Sequence, residues 1–339
     1  MCSTLRVSNS SVALVMTHSV RHSMCMSQTV RAIAAHSLRL DAFVATIDGV
    51  RSRVQAKSLI EGGHVSVSGK TLRKCSHMLS ANDDVIVTFP AAPLSRERTS
   101  VDSTPLAVLF EDAACIIIDK PAGIVVHPGA GTREDEPTIL DMVRPLFDER
   151  SLPYVPSHCL VHRLDKETSG CLIIAKSPDM HLALQRLFQT RAVAKTYLAV
   201  VFGTPSHQKA LINAPIGRHV TRRTTMSVSS SASSREARTA YETLDASHEA
   251  ALLSCDLQTG RTHQIRVHLS SIGHPVLGDQ TYGHSLSSAL SSRHGIRGLC
   301  LHAWKIQFTS PTHEQISVIS HPPPSFTRAL KSLGMSTLR

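Results

Sequence analysis

The chain has 339 residues, 42% of them hydrophobic, which is enough for about two domains and a sizeable apolar core. That apolar fraction excludes a wholly disordered chain. Lysine and arginine number 36 against 26 aspartate and glutamate, a net charge of +10 that favours a polyanionic partner, either nucleic acid or a membrane surface. Aromatic residues make up only 4%, which argues against an array of base-stacking rings as the main means of binding.

The eight cysteines are scattered, and no two of them have the C-x-x-C spacing of a zinc or redox site. We therefore expect reduced thiols in an intracellular protein and no metal. The sequence has neither a dinucleotide-binding fingerprint nor a P-loop, so we also expect no cofactor. Because no apolar run reaches the roughly 18 residues of a membrane-spanning helix, we expect no membrane partner.

The first 40 residues contain four arginines, many serines and no acidic residue. Such a composition occurs in organelle transit peptides, but Met24 and Met26 are alternative starts just before the first periodic segment. We therefore favour a disordered or wrongly assigned leader over residues 1–36, followed by a cytoplasmic protein. Organelle targeting is the alternative.

Residues 37–90 have the pattern of a small α/β module. Apolar residues within 38–47 mark one helix face, and a second helix is predicted over 52–61. The pair Gly62-Gly63 is expected to end that helix, and residues 84–89 predict a strand.

The second helix of this module carries Arg51, Arg53 and Lys57 near its start. Positive charge there opposes the helix dipole unless an anion such as a phosphate lies opposite. A solvated basic face is the alternative. The module resembles S4 RNA-binding domains in three segments: Arg39-Leu40-Asp41, Ser52-Arg53 with Lys57, and Ile60-Glu61-Gly62-Gly63-His64-Val65-Ser66-Val67-Ser68-Gly69-Lys70. The resemblance implies an αL-type S4 fold that binds RNA through these three cations.

Residues 91–104 are polar and rich in proline and serine, which predicts a linker. In the larger domain expected over 105–325, strands outnumber helices without alternating with them, so we expect an α+β fold. Residues 326–339 are expected to form a C-terminal tail, and the serine-rich residues 227–234 a flexible loop tip. The predicted strands are 108–110, 116–119, 171–175, 196–202, 252–257 and 305–308, and the predicted helices are 139–146, 180–189 and 262–272.

Three segments of the larger domain carry candidate chemistry. Residues 162–170 place five ionisable side chains in one loop, which is more charge than a turn needs. The strand at 196–202 contains Tyr197, one of only four tyrosines. Arg261 stands at the entrance of the helix at 262–272, where a cation is misplaced unless an anion faces it, so we expect a carboxylate or phosphate beside it. The structural alternatives are a salt-bridged turn and a tyrosine bonded to backbone.

These three segments together resemble the RluA/RluD type of pseudouridine synthase. The family's motifs are matched by His162-Arg163-Leu164-Asp165-Lys166-Glu167-Thr168-Ser169-Gly170, Lys195-Thr196-Tyr197-Leu198-Ala199-Val200 and Thr259-Gly260-Arg261-Thr262-His263-Gln264-Ile265-Arg266-Val267-His268. Further similar stretches are Asp119-Lys120-Pro121-Ala122-Gly123, Gly278-Asp279-Gln280-Thr281-Tyr282-Gly283 and Leu301-His302-Ala303. Within the family, His127-Pro128-Gly129-Ala130-Gly131 and Ala214-Pro215-Ile216-Gly217-Arg218 are most similar to the D-type enzymes of large-subunit ribosomal RNA.

The resemblance implies a mixed, mainly antiparallel sheet behind the S4 domain, and isomerisation of uridine to pseudouridine in RNA. Asp165 matches the catalytic aspartate, which either attacks C1′ or assists formation of a glycal. Arg261 is its implied ion-pair partner. Tyr197 would lie against the uracil or accept a proton from the sugar, and Arg163 would fill the space left by the flipped base.

RNA is the expected partner, ribosomal RNA above all, bound by a monomer without an obligate protein partner. We expect Arg222 and Arg223, in the arginine-rich loop of residues 218–238, to hold the RNA, with a solvated loop as the alternative. Two other functions stay open: modification of transfer RNA, and a catalytically silent RNA-binding factor for ribosome assembly. The combination of an aspartate, a tyrosine and an arginine in the three motifs argues against the silent factor, because binding alone needs none of them.

Overall fold

The computed structural model divides into two units, Met1–Ser100 and Val101–Arg339. It describes residues 12–19, 28–47, 50, 53–89, 106–127, 136–222 and 225–336. The predicted linker, residues 91–104, lies outside the described residues.

The smaller unit is an antiparallel sheet with two helices. Its elements are β1 (Val12–Ser19), β2 (Gln28–Ala34), β3 (Leu38–Arg39), α1 (Leu40–Val44), α2 (Arg53–Glu61), β4 (Val65–Val67), β5 (Lys70–Thr71), β6 (Met78–Leu79) and β7 (Asp84–Phe89). Five strands form a sheet in the order β1-β2-β7-β4-β5, and β3 pairs with β6. The strand predicted at 84–89 is confirmed by β7.

The second helix of the smaller unit ends where its glycines predict. Gly63 has a φ of 79°, a left-handed conformation that favours glycine. The amide of His64 then donates to the carbonyl of Leu59 at 2.9 Å, which satisfies one carbonyl of the last helical turn. The expected cap at Ser52 lies outside the described residues.

The boundary predicted at residue 36 is wrong. Residues of β2 pair with β7 along the strand, and the side chains of Val30, Ala32 and Ala34 are buried in the core of the smaller unit. Alternate residues of β2 face that core, as in any half-buried strand. The segment from Gln28 onward therefore belongs to the fold and not to a leader.

The larger unit is built on one mixed sheet. Its strands are β8 (Ala107–Glu111), β9 (Cys115–Lys120), β10 (Ser169–Ala175), β11 (Ala194–Phe202), β12 (Lys209–Asn213), β13 (Ile216–Arg218), β14 (Met226–Val228), β15 (Arg238–Ala246), β16 (Ala250–Leu257), β17 (Leu301–Thr309) and β18 (Gln315–Ile319). The main sheet has the order β12-β15-β16-β11-β17-β10-β9-β8, with β18 beside β17. Only β10 and β17 pair in parallel among its described strands, so the expected mixed, mainly antiparallel α+β fold is confirmed.

Both faces of the sheet are buried around its centre. In β9, Ile116 and Ile118 belong to the main core, whereas Cys115 and Ile117 belong to a second core on the opposite face. This alternation follows from the two-residue period of a strand. It explains why β9 and its neighbours have continuous apolar sequences, and it makes them rigid supports for the loops at their ends.

Helices cover the sheet, and the last of them corrects a prediction. They are α3 (Ile139–Glu149), α4 (Pro178–Gln189), α5 (Gln264–Ser271), α6 (Ser285–Arg293) and α7 (Pro324–Ser332). The expected tail at 326–339 is wrong as far as residue 336, because Phe326, Ala329 and Leu330 of α7 are buried in the main core. Their spacing places all three on one helix face.

The serine-rich segment at 227–234 is also more ordered than predicted. Residues of β14 pair with β13 to form a hairpin, and Ser231 and Ser234 hydrogen-bond to each other. The hairpin packs through Ile216 on a small core with Ala237 and Val267. None of the described helices has the length and apolar character that a bilayer-spanning helix requires.

Removal of the Phe326 ring tests whether α7 is part of the core. Phe326 is 3% exposed, so we expect Phe326→Ala to lower the free energy of unfolding by about 3–5 kcal/mol. Urea unfolding followed by fluorescence of Trp304, the single tryptophan, reports on this unit because Trp304 lies in β17. Leu286→Ala is the control: this side chain is 64% exposed, and its loss should change stability by less than about 0.5 kcal/mol. Equal effects of the two variants would contradict the packing of α7.

Candidate active site

The three motif segments meet at one cavity of about 460 Å³ in the larger unit. Its lining includes all four residues predicted for the reaction, Asp165, Tyr197, Arg261 and Arg163. They come from the loop before β10, from β11, and from the segment between β16 and α5. Sequence segments far apart along the chain therefore build a single site.

The Asp165 loop is a tight turn fixed against β10. The amide of Thr168 donates to the carbonyl of Asp165 at 3.1 Å, which closes the turn. Upstream, His162 accepts a hydrogen bond at Nε2 from the amide of Ile173 at 2.9 Å, and its ring stacks on Phe188 with centroids 4.7 Å apart. Burial, with the charge of Lys195, lowers the pKa of His162 to about 3, so this imidazole is neutral and structural.

A buried lysine fixes the same loop through hydrogen bonds to its backbone. Lys120, at the end of β9, is fully buried, and its ammonium group donates to the carbonyls of Pro121, Lys166 and Thr168 at 2.8, 3.0 and 2.8 Å. All three N–H donors of the ammonium are thus used. Two of the three acceptors are backbone carbonyls in or beside the turn of Asp165, so Lys120 fixes the backbone that carries this carboxylate.

The charge partner of Asp165 is Arg266. Arg266 Nη1 lies 3.4 Å from Asp165 Oδ2. The other side of the guanidinium forms a two-bond fork with Asp279, from Nε to Oδ2 at 2.7 Å and from Nη2 to Oδ1 at 2.9 Å. Asp279 also accepts from the amides of Thr281 and Tyr282 at 2.8 and 3.0 Å. The arginine is therefore fixed by one carboxylate while it faces another.

Arg266 and Asp279 each stabilise the charged form of the other. Burial alone would lower the pKa of Arg266, but the hydrogen bonds and charge of Asp279, together with Asp165, raise it. Burial would likewise raise the pKa of Asp279, but Arg266 and the two backbone amides lower it. Both groups are charged at neutral pH, so a full positive charge faces Asp165.

Asp165 pairs with Arg266 and not with Arg261, the partner that the resemblance implied. Helix α5 begins at Gln264, with His263 as its N-cap, so Arg261 lies before the helix and not in its first turn. Its Nε donates to the backbone carbonyl of Glu236 at 2.9 Å. The residue in the first turn that meets an anion is Arg266. An arginine near the start of α5 therefore does face a carboxylate, but it is Arg266, five residues further along the chain than Arg261.

The two remaining predicted residues line the cavity in different ways. Tyr197 is 8% exposed, and burial, followed by the charge of Asp165, raises the pKa of its hydroxyl. The phenol is therefore neutral, with its ring against the site. Arg163 is exposed and adjoins the same space.

Cations dominate the described lining of the cavity, where Asp165 is the only carboxylate. The five cationic side chains are Arg163, Arg191, Lys195, Arg261 and Arg266. Such an excess of positive charge attracts a polyanion. Within the described parts of the chain, no cluster of histidine, cysteine and carboxylate side chains could hold a metal ion.

The described lining of the cavity contains none of the predicted RNA-binding cations. Lys57 is exposed on α2, with its ammonium 3.6 Å from Glu61, and Arg222 is exposed in the turn of the β13–β14 hairpin. Arg53 is the first residue of α2. Arg51 and Arg223 lie outside the described residues.

Several residues of the site had no predicted role, although they stand inside the matched stretches. They are Lys120, His263, Arg266, Asp279 and Tyr282. Arg266 had one usable signal: it follows Ile265 directly on a helix with an apolar stripe, where a charge must be paired. No local signal identifies the others, because their partners come from distant segments.

The pH dependence of stability tests the burial of Lys120. Burial lowers the pKa of this ammonium from its ordinary value of 10.5 to about 8. Between these pH values the unfolded chain holds a proton that the folded protein has released. The free-energy cost of burying this lysine therefore falls as pH rises. We expect the unfolding free energy of the wild type to rise relative to that of Lys120→Met as pH increases from 8 to 10.5. Urea titrations across this range measure it, and a constant difference would contradict the lowered pKa.

Comparison with known proteins places this geometry in a family. The sequence model of RNA pseudouridylate synthases matches residues 114–271, and that of S4 domains matches residues 38–85. The ribosomal large subunit pseudouridine synthase D of Nitrosomonas europaea is 38% identical over 295 residues, which cover 86% of this chain and 83% of that protein. The enzyme of the same name from Vibrio cholerae is 37% identical over 262 residues, or 77% of this chain and 78% of that protein.

A solved structure is similar as well. The human RNA pseudouridylate synthase domain containing 4 is 28% identical, with a TM-score of 0.56, over 69% of this chain and 95% of that chain. The matched models, the curated relatives and this structure agree with the three motifs that surround the cavity. The chain belongs to the RNA pseudouridylate synthase family and is an RNA pseudouridine synthase with an S4 domain.

Proposed function

We propose that Asp165 is the catalytic carboxylate and that large-subunit ribosomal RNA is the substrate. One observation carries the first part of the proposal. Asp165 is the only carboxylate in the described lining, and it faces a guanidinium that a second, buried carboxylate fixes in place. A single carboxylate in a cationic cavity is suited to donate an electron pair to an electrophilic sugar carbon.

The isomerisation conserves all atoms. The N1–C1′ bond breaks and its electron pair leaves with the uracil, which turns so that C5 bonds to C1′. The proton on C5 is then lost and N1 gains one. Asp165 serves either by attacking C1′ or by assisting formation of a glycal, and both routes need its ionised form. Arg266 stabilises that charge from 3.4 Å.

Tyr197 is proposed to hold the uracil ring and not to accept the sugar proton. Its raised pKa keeps the phenol protonated, so the group offers a flat ring and a weakly basic oxygen. The ring lies in a strand buried on the main core, which fixes its orientation. One rigid aromatic face is enough for a base that enters the cavity alone.

The cations of both units are proposed to bind the RNA backbone. Arg163 has a planar guanidinium beside the cavity, and it can occupy the space that the extruded base leaves in the RNA stack. Arg222, in the turn of the hairpin, and Arg223, the next residue in the sequence, would hold the same RNA. Arg51, Arg53 and Lys57 would bind through the S4 domain.

Relatives support the choice of substrate, because two of the similar enzymes are named for the large ribosomal subunit. Transfer RNA is the alternative substrate. We propose that the enzyme acts as a monomer, because a single chain brings Asp165, Tyr197 and Arg266 together in one cavity. Its proposed location is the cytoplasm, where a bacterial-type ribosome would meet it.

Removal of the carboxylate tests the catalytic assignment. We expect Asp165→Asn to lower the turnover to less than about one thousandth of wild type, as removal of an essential nucleophile does. Release of tritium from RNA labelled at uridine C5 measures the turnover, and filter binding of the same RNA should give an unchanged Kd. Substantial tritium release by this variant would remove Asp165 from the reaction.

The two arginines of the third motif should differ in effect. Arg266→Lys keeps a positive charge opposite Asp279 but loses the fork, so we expect turnover to fall by about 10²-fold. Arg261→Met should retain far more turnover, because this side chain contacts a backbone carbonyl and not Asp165. Tritium release by both variants at saturating RNA makes the comparison. The opposite ranking would restore Arg261 as the partner of Asp165.

Mapping of pseudouridines identifies the substrate. RNA from cells that lack the gene should lose specific modifications in large-subunit ribosomal RNA and regain them with the wild-type gene but not with Asp165→Asn. Loss confined to transfer RNA would establish the alternative substrate.

A further inference from the structure

The backbone of His263 has a left-handed conformation at the edge of the cavity. Its φ of 56° and ψ of 24° lie in a region that is uncommon for residues with a Cβ, although histidine, like asparagine and aspartate, adopts it more often than most. The residue is also the N-cap of α5, and yet its side chain does not cap the helix. Such conformations persist where the surrounding structure fixes the side chain for another purpose.

That side chain is fixed through Tyr282. His263 Nδ1 lies 2.7 Å from Tyr282 Oη, and the backbone amide of Met226 donates to the same oxygen at 3.0 Å. Because Oη accepts from Met226, its own proton is available to His263 Nδ1. An accepting Nδ1 requires the ring proton to be on Nε2. Burial is the main cause of the lowered pKa of His263, which keeps the ring neutral.

The Nε2–H group then faces the cavity with no acceptor among the described residues. The nearest acidic oxygen is Asp165 Oδ1 at 3.9 Å, which is too far for a hydrogen bond. A substrate atom beside Asp165 can nevertheless lie about 3 Å from both groups, as a reacting site requires. The ring of Tyr282 also packs under Arg266, 5.0 Å from its guanidinium carbon, so one tyrosine supports both neighbours of Asp165.

We propose that His263 donates a hydrogen bond from Nε2 to a carbonyl oxygen of the target uracil, and that Tyr282 positions it for this role. The inference rests on the proposed function of Asp165. When the N1–C1′ bond breaks, the uracil carries the electron pair as negative charge shared with its carbonyl oxygens. A fixed neutral donor stabilises that charge without repelling Arg266. His263 is therefore a catalytic residue, and Tyr282 is a positioning residue.

His263→Asn separates the two roles of the imidazole. Asparagine tolerates the left-handed backbone, and its amide oxygen can accept from Tyr282, but it has no donor that reaches toward Asp165. We expect kcat to fall by about 10²-fold, as on loss of one preorganised donor, with the Kd for RNA unchanged. His263→Gln, whose amide can reach the position of Nε2, should recover part of kcat. His274→Asn is the matched control, since His274 bonds the carbonyl of Phe202 outside the cavity, and its kcat should stay at the wild-type level.

Nitrogen-15 spectra of the histidine rings supply a readout that is independent of activity. The His263 signal, identified by its loss in His263→Asn, should show the Nε2–H tautomer in wild type. Tyr282→Phe should give a mixture of tautomers and a smaller decrease in kcat. Wild-type kcat in His263→Asn, or an Nδ1–H tautomer in the wild-type enzyme, would overturn the inference. If His263→Asn does not fold, Tyr282→Phe and the wild-type spectrum decide.

The same assays separate this inference from the proposed function. An inactive Asp165→Asn beside a fully active His263→Asn would refute the role of His263 alone. An active Asp165→Asn would refute the assignment of Asp165, on which the role of His263 depends.

Discussion

The buried fork between Arg266 and Asp279 is the interaction on which the site depends. Removing two charges from water costs several kcal/mol per ion, and the cost is offset only where geometry is good and the remaining acceptor positions are filled. Here two parallel hydrogen bonds and two backbone amides meet that condition. In return, the fork fixes the orientation of the guanidinium group. With Nε and Nη2 bonded, the guanidinium has one orientation, and Nη1 must face Asp165.

The order of the strands brings that pair to the reaction site. Asp165 and Arg266 are 101 residues apart in sequence, but the loop of Asp165 enters β10 and Tyr197 lies in β11, the two strands that flank β17. Helix α5 follows β16, which is the next neighbour of β11. The cavity therefore lies where β16, β11 and β10, with β17 between the last two, meet the start of α5. The strands are buried on both faces around the sheet centre, so the loops they carry have rigid supports.

The sequence predicts those parts of the structure that depend on local interactions better than those that depend on contacts between distant segments. Continuous apolar runs such as β9 and β10 are predicted, because burial on both faces leaves a local signal. The spacing of Phe326, Ala329 and Leu330 carries the apolar stripe of α7, although these residues were expected to form a tail. The ion pair was assigned to Arg261 from the resemblance and from a helix start placed two residues early, whereas the structure gives it to Arg266. The Tyr282 contact joins distant segments and leaves no local pattern.

Charged and neutral side chains in the cavity are suited to different parts of the RNA. Of the five cations in the described lining, Arg191 and Arg266 also pair with Glu236 and Asp279 outside it, and a polyanion that enters can compensate the charge of the others. Phosphates can supply that compensation, whereas the uracil itself is uncharged on arrival and binds through hydrogen bonds and stacking. The groups that we propose for the base are neutral: Tyr197, whose pKa is raised, and His263, whose pKa is lowered, both mainly by burial. On this proposal, a chain with few aromatic residues suffices, because its cations hold the RNA and burial keeps the base-facing groups neutral.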